Sequence, residues 1–432
     1  KVPVVAIVME KGWEQVVAAV AILRIHCAYL PMDAKTWPEQ RIRQVLEMSE
    51  AAAVLTQSFL LSEGFAWLED LSIPVLSVDA LGLRLQDTVK EDELRPLQEC
   101  VEQYVISRRE SEQGLFTSDL AYLIYTSGST GLPKGVCCHH RGCMNTIQDL
   151  NDRYKVGEQD RLLGLSSLSF DLSVYDIFGM LHAGGCLVLP SVSSLSPPDP
   201  AEWFDLLEQE AVTVWNTVPA FMELIVSHAE MMGVKLPRTL RLIFMSGDWI
   251  PTNLPQRIRA VSENVDNLQI VSMGGATEAS IWSNIFEVRQ EDEHGSGVPS
   301  GWRSIPYGQP MRNQRMYILN HRMQHCEPWV TGVIYIGGVG VAHGYYKNPE
   351  RTAYQFVTHP VTGEKLFRTG DLGRLRPEGW LEILGREDSQ VKVNGYRVEL
   401  GEIEKTLMMH ERVLSAVVAV HKNTLCAYIV LR

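Results

Sequence analysis

The chain has 432 residues, 45% of them apolar and 21% charged, with a formal net charge of −13. That length favours two or more domains or subdomains, and the acidic balance argues against a nucleic-acid surface or anchoring on an anionic membrane. No stretch approaches the roughly eighteen consecutive apolar residues of a membrane span.

The first residue is Lys1 rather than Met, which points to a segment of a longer protein, and no signal peptide is visible. Short apolar runs bounded by turn residues then recur: VPVVAIVM, AAAVLT, IPVLSV, AYLIYT, RLLGLSS, GCLVLP, VTVWNTV, LRLIFMSG and LQIVSMG. They predict strands buried on both faces. Helical patterns lie between them. In EKGWEQVVAAVAIL, Trp13, Val16, Val17 and Val20 fall at i, i+3, i+4 and i+7 and predict one apolar stripe. DPAEWFDLLEQE opens with an Asp-Pro helix start at Asp199. Strands alternating with helices predict βαβ units and largely parallel sheets. The acidic, Gly-rich stretch RQEDEHGSGVPSGW is the best candidate for an exposed loop. Beyond about residue 310, QRMYILN, TGVIYIGG, GWLEILG, QVKVNGYRVEL, AVVAV and LCAYIVLR follow closely with few helices between them. They predict a more antiparallel region, with a small α+β unit starting near Glu387.

Eight cysteines, at 27, 100, 137, 138, 143, 186, 326 and 426, form no CxxC pair. They suit reduced thiols in a cytoplasm better than a disulfide framework or a zinc site. Cys137, Cys138, His139 and His140 are contiguous but lack the ligand spacing of zinc sites.

Residues 122–136 read YLIYTSGSTGLPKGV. A strand followed by a Gly-rich loop presents backbone N–H groups to phosphate. Gly128, Gly131 and Gly135 let the backbone approach closely, and Thr126, Ser127, Ser129 and Thr130 add hydroxyl donors. Lys134 adds a mobile positive charge, held near the loop's end by Pro133. Neither the Walker pattern nor GxGxxG is present here. The alternative is a polar turn without a ligand, which would order such a loop to no purpose.

With this loop the chain resembles the adenylate-forming enzymes: acyl-CoA synthetases, luciferases and the adenylation domains of nonribosomal peptide synthetases. LAYLIYTSGSTGLPKGV matches the phosphate-binding signature, and CAYLPMDAKTWPEQRI an early helix-to-strand segment. GGATEAS, LFRTGDLGRL and LEILGREDSQVKVNGYRVELGEIE follow in the family's order. NGYRVELGEIE is similar to the peptide-synthetase branch, and the resemblance covers essentially the whole chain. It implies an α/β adenylate-forming fold: a large core of two mainly parallel sheets wrapped by helices, a smaller β-rich subdomain, and the start of a mobile α+β lid. The core would be 1–387 and the lid 388–432.

The implied chemistry joins a carboxylate to the α-phosphorus of ATP, releases pyrophosphate and passes the acyl group to a thiol. The thiol would be the phosphopantetheine of a peptidyl carrier protein, in a cytoplasmic synthetase with neighbouring domains and with no nucleic-acid or membrane partner. Bringing anions together demands positioning and charge neutralisation. By motif position, Thr126, Ser127, Gly128, Ser129, Thr130, Gly131 and Lys134 hold ATP's phosphates. Gly274, Gly275, Ala276 and Thr277 line the nucleotide, with Thr277 at the α-phosphate, and Glu278 holds Mg²⁺. Asp371 binds the ribose hydroxyls, and Arg386 contacts the ribose side and phosphates. Asp388 is the hinge, and Lys392 serves thioester formation. Three features depart from the family. The aromatic residue of YGPTE, which stacks on adenine, is Gly274 here, so the adenine contact must differ. The usual upstream Asn is Ser272. The chain ends at Arg432, before the late lid motif that carries the adenylation lysine.

In SFDLSVYDIFG, Asp171 matches the carboxylate that meets the α-ammonium of an amino-acid substrate, since a buried carboxylate needs such a partner. Taken alone, Asp171 reads equally as a helix N-cap. The pocket walls map to Leu172, Tyr175, Asn216, Phe244, Ser246, Met273, Ile281 and Trp282. Bulky residues there imply a small side chain, and Asn216 and Ser246 offer only neutral polar contacts. The set resembles that of cysteine-activating domains, with Phe244 departing from the expected aliphatic residue or Met. Gly, Ala and Ser remain open as substrates. An acyl- or aryl-CoA ligase, or a non-catalytic scaffold module, are the other readings.

Overall fold

The computed structural model describes residues 2–81, 119–127, 132–289, 301–302, 304–388, 390–393, 395–421 and 424–432. Each of the nine apolar runs supplies a strand. The first sheet has six, in the order Val75–Ser77, Ala53–Thr56, Val4–Met9, Ala28–Asp33, Leu120–Thr126 and Lys134–His139. All neighbours are parallel except the last pair. The second has seven, in the order Gln309–Pro310, Asn284–Val288, Gln269–Gly274, Leu242–Met245, Val214–Thr217, Arg161–Leu163 and Cys186–Val188. It is parallel from Gln269–Gly274 onward and antiparallel at the other end.

The helix His140–Tyr154 lies between the sheets. Its Ile147 and Leu150 share one core with Ile7, Tyr29 and Tyr122 of the first sheet and Val214, Phe244 and Val271 of the second. Separate cores cover the outer faces, around Trp203, Trp215 and Ile243 on one side and Leu30, Val54 and Leu123 on the other. Burial on both faces is what a near-continuous apolar strand requires. The contiguous Cys-Cys-His-His string also has a structural use. Cys138 and Cys137 pack into the inner and outer cores of the first sheet, and His139 Nδ1 caps the following helix by accepting from Gly142 N at 2.9 Å.

One expected face is corrected. The first helix is Trp13–Arg24, but it buries Gln15, Ala18, Ala19 and Ile22, while Trp13 and Val17 are exposed. The helical period is right, and the buried stripe is the one rich in alanine. The helix Pro200–Gln209 starts as expected, with Asp199 accepting from Ala201 N and Glu202 N. Most of the acidic Gly-rich stretch, 290–300, lies outside the described residues.

Beyond residue 310 the architecture becomes antiparallel. Gln314–Leu319, Gly332–Gly338, Lys365–Leu375 and Phe356–Thr358 form a third sheet, with Leu381–Arg386 paired to Lys365–Leu375. After Asp388 come a hairpin of Gln390–Val393 with Tyr396–Glu399, the helix Leu400–Met408, and a hairpin of Val413–His421 with Thr424–Leu431. Among the described residues no helix is long and apolar enough to cross a membrane.

Candidate active site

Three strands of the second sheet, Val214–Thr217, Leu242–Met245 and Gln269–Gly274, bring Asn216, Ser246, Met273 and Gly274 to one rim. The carboxyl ends of parallel strands are where such sheets bind ligands. A short helical turn, Thr277–Ala279, follows, and then Ser280 and Ile281 adopt φ values of 59° and 75°. A β-branched residue in the left-handed region is strained and persists only where its surroundings hold it. Here Ser280 Oγ donates to Gly340 O at 2.7 Å, and Ser280 O accepts from Thr146 Oγ1 at 3.1 Å. The turn places Thr277, Glu278 and Trp282 together over the rim.

Asp171 approaches from another element. It precedes one α-helical turn, Leu172–Val174, which continues into a π-helical turn, Tyr175–Gly179. Such turns recur at functional sites. The N-cap alternative does not hold, because Asp171 already has helical backbone angles and makes no capping bond. Its side chain is buried, and burial pushes its carboxyl up to about 6; the negative charge of Glu278 adds to this, against a hydrogen bond from Thr277 and the positive charge of Lys392.

Glu278 is fully buried, and its Oε1 lies 3.2 Å from Lys134 Nζ and accepts from the Tyr345 hydroxyl at 2.8 Å. Lys134 Nζ also stands 5.0 Å from the centroid of the Tyr345 ring. The expected mobile lysine is therefore corrected. Lys134 opens a strand in register with Thr126, so the antiparallel ladder fixes its backbone, and Glu278 and Tyr345 hold its ammonium. Glu278 fits a hard cation, being a carboxylate in a water-poor setting. Among the described residues no group of three or more His, Cys, Asp or Glu could hold a metal ion. A Mg²⁺ held by Glu278 would thus take most of its oxygens from phosphate and water, as that ion does at nucleotide sites.

Several of the residues mapped to the pocket walls lie close together in the core between the sheets. Tyr175 meets Phe244 at 5.6 Å and Trp282 at 5.5 Å, both edge-on, and Phe244 lies 6.4 Å from Trp282. Leu172, Met273 and Ile281 are buried beside them. Ser246 Oγ accepts from Trp282 Nε1 at 2.8 Å, so this hydroxyl holds the indole in place. The Asn216 amide is fixed from behind: its Nδ2 donates to Asp176 Oδ1 at 2.7 Å. Where Asp176 is ionised its oxygens can only accept, and the Asn216 amide is then oriented with Nδ2 toward it. Asn216 Oδ1 is left buried, with no partner among the described residues. Burial pushes the Asp176 carboxyl up to about 7 and the nearby Lys11 ammonium down to about 8, each charge favouring the other.

A cavity of about 970 Å³ is lined by Ser272, Gly274, Tyr307, Asp371, Arg386 and Lys392. Arg386 Nη1 donates to Asp371 Oδ1 at 2.7 Å, while its Nε and Nη2 donate to the two oxygens of Asp388 at 2.7 and 2.8 Å. That paired geometry is strong and directional, so one guanidinium ties the expected ribose carboxylate to the expected hinge. Gly275 is dictated by space: a β-carbon there would lie 2.5 Å from Ile281 O and 2.7 Å from Trp282 Cα. Ala276 O accepts from Ala279 N and closes the following turn. Lys392 is exposed on its hairpin, which is seated on the core by Gly395 N donating to Asp248 Oδ2 at 2.9 Å. Thr126 and Ser127 lead out of their strand, whereas Gly128, Ser129, Thr130 and Gly131 lie outside the described residues.

The profile of a family described as AMP-binding enzyme matches residues 1–346. The chain belongs to the AMP-binding enzyme family. It is 41% identical over 431 residues to the "Anguibactin system regulator" of Vibrio anguillarum, covering 99% of this chain and 37% of that protein. It is 39% identical to "Pyochelin synthetase PchF" of Pseudomonas aeruginosa, covering 99% of this chain and 22% of that one. The chain thus spans only a fraction of the length of these relatives. A crystal structure of the nonribosomal peptide synthetase FmoA3, in its alpha-methyl-L-serine-AMP bound form, superposes with a TM-score of 0.74 at 40% identity, covering 90% of this chain and 39% of that one. The adenylate-forming fold and the likeness to peptide-synthetase adenylation domains both stand.

In this AMP-binding enzyme Tyr345, Asp176 and Lys11 are among the residues that escaped the sequence reading. Tyr345, in HGYYKNP, carries no local signal of its contact with Glu278. Asp176 and Lys11 do carry one: an acid inside the apolar run VYDIFG and a lysine two residues past a buried strand both need partners if buried.

Proposed function

We propose that this AMP-binding enzyme activates L-cysteine as its aminoacyl-AMP with release of pyrophosphate, and passes it to the phosphopantetheine thiol of a peptidyl carrier protein within a synthetase. The observation that carries amino-acid activation is Asp171, a buried carboxylate with no capping role, raised toward neutrality and set beside Thr277 and Glu278. An α-ammonium would add a close ionic partner to the Thr277 hydrogen bond that this buried carboxylate already accepts. Thr126, Ser127 and Lys134 neutralise and orient the phosphates, Thr277 meets the α-phosphate, and Asp371 takes the ribose hydroxyls. Mg²⁺, held by Glu278, supplies charge neutralisation of ATP when bound. Arg386 and Asp388 govern the turn between the core, 1–387, and the lid, 388–432, and Lys392 serves the thioester half-reaction.

The unpartnered Asn216 Oδ1 supports the finer reading. It offers an acceptor at a pocket otherwise walled by Tyr175, Phe244 and Trp282. A small side chain with a donor meets it, and a thiol combines a weak donor with a soft, apolar body. Cysteine and 2-aminobutyrate have nearly the same size, but only cysteine can donate. In the protein that carries this chain, amino-acid-dependent exchange of pyrophosphate into ATP should favour cysteine by roughly tenfold or more in kcat/KM. Asn216→Leu should bring the two substrates close together. Equal exchange by the wild type would remove the thiol reading and leave amino-acid activation intact.

A further inference from the structure

A ring at position 274 is excluded by a ring already there. Gly274 is not among the glycines with positive φ, so its missing side chain answers to space rather than to backbone conformation. A β-carbon on it would come within 2.6 Å of Tyr307 Cδ2 and 2.5 Å of Tyr307 Cζ. Such distances are far inside van der Waals contact, which places the Tyr307 ring directly against the Gly274 backbone. The segment that delivers it is well anchored. Tyr307 N donates to Leu381 O at 3.1 Å, Tyr307 O accepts from Asn284 Nδ2, and Gly308 turns the chain at φ 91°. Part of the side chain packs on the Ile318, Ile334 and Leu381 cluster. The half-buried ring lines the same cavity as Asp371 and Arg386. Burial, together with the Asp371 carboxylate, pushes the phenol well above its ordinary range, so it stays neutral.

We infer that Tyr307 is the adenine platform of this chain: its ring stands in the space a side chain at 274 would fill and stacks on the purine of ATP, beside the carboxylate of Asp371. This rests on the ATP-site reading above. A flat, neutral ring next to a sugar-binding carboxylate and an arginine suits a purine nucleotide, because stacking needs only a π-face on each partner. The other rings on this cavity are placed differently. Trp302 carries the Arg376 guanidinium 4.8 Å from its centroid, and Trp249 is largely exposed.

The test compares dissociation constants for AMP and for ribose 5-phosphate, which lacks the base. Tyr307→Leu, which keeps apolar packing, should weaken AMP by about tenfold or more and leave ribose 5-phosphate unchanged. Tyr307→Phe should retain AMP binding, and Trp302→Ala should not alter it. Gly274→Tyr alone should lose AMP binding through the clash, and Gly274→Tyr combined with Tyr307→Ile should regain it by moving the ring to the other segment. A Tyr307→Leu variant that binds AMP like the wild type would overturn the assignment, as would AMP and ribose 5-phosphate weakening together. A folded wild type that binds no AMP would overturn the ATP-site reading itself, and the platform with it.

Discussion

Asp171→Asn is expected to lower kcat/KM for the amino acid by roughly 10²–10³-fold while raising the melting temperature at pH 7–8. The loss follows from removing one partner of a buried charge pair, which costs about 2–5 kcal/mol. The gain follows from the site's electrostatics. The Asp171 carboxyl titrates at about 6 in the folded chain, against an ordinary value of 3.8. Between these values the folded state binds more protons than the unfolded one, so this group's contribution to stability falls as pH rises through that window and stays lowered above it. At about 1.4 kcal/mol per pH unit, the folded chain gives up at most about 3 kcal/mol at neutral pH. Asparagine removes the charge and keeps a polar group for Thr277, so the variant should melt a few degrees higher at pH 7–8 and no differently near pH 4. Activity should show the opposite pH sign: kcat/KM for the amino acid drops as pH falls through about 6, where the carboxylate is protonated. A merely structural Asp171 would predict a melting temperature that falls on substitution.

Glu278→Gln should also abolish activation, with the opposite effect on stability. Glu278 and Lys134 are both almost wholly buried and 3.2 Å apart. Removing the carboxylate from such a pair costs about 3–5 kcal/mol, because the remaining charge stays in a poor solvent. The melting temperature should fall by several degrees, and adding Lys134→Met should recover most of it, since a buried pair replaced by apolar packing is often near neutral. Activity should stay lost in the double variant. Recovery of pyrophosphate exchange there would show that the pair is structural and that phosphate and Mg²⁺ are held elsewhere. The two acidic residues thus lie close together and differ in sign: burying the Asp171 carboxylate costs stability, and Glu278 with Lys134 is part of what holds this region together.

Much of this was legible because burial on both faces leaves a plain trace. The nine apolar runs became strands, and Asp199 became a cap, since those signals are local. Strand Ala28–Asp33 was marked only by resemblance. It is central in its sheet, yet it contains Pro31, paired opposite Ile7, and proline normally argues against a central strand. The first helix showed two overlapping apolar stripes, and the larger side chains suggested the wrong one. Packing against a sheet favoured the small alanines, a choice no periodicity reveals. Motif order grouped Asp171, Thr277 and Glu278, and the fold does set them side by side. What supports them came from distant parts of the chain: Tyr345 and Lys134 for Glu278, Asp176 and Lys11 for Asn216, and Tyr307 for Gly274. The absence of a ring at Gly274 was visible in the sequence; the ring that fills its space, 33 positions later, was not.

Thermal denaturation of the chain with non-hydrolysable aminoacyl-sulfamoyl adenosines bears most directly on amino-acid activation with a small, donor-bearing side chain. Probes carrying Cys, 2-aminobutyrate, Ser, Ala, Gly and Phe span donor and size separately. A ligand at a hundred times its dissociation constant adds about 2.7 kcal/mol, a readily measured rise in melting temperature. The cysteine probe should give the largest shift, 2-aminobutyrate a smaller one and phenylalanine none. A folded chain that none of these probes stabilises, or that the phenylalanine probe stabilises as much as the cysteine one, would contradict this reading of the site.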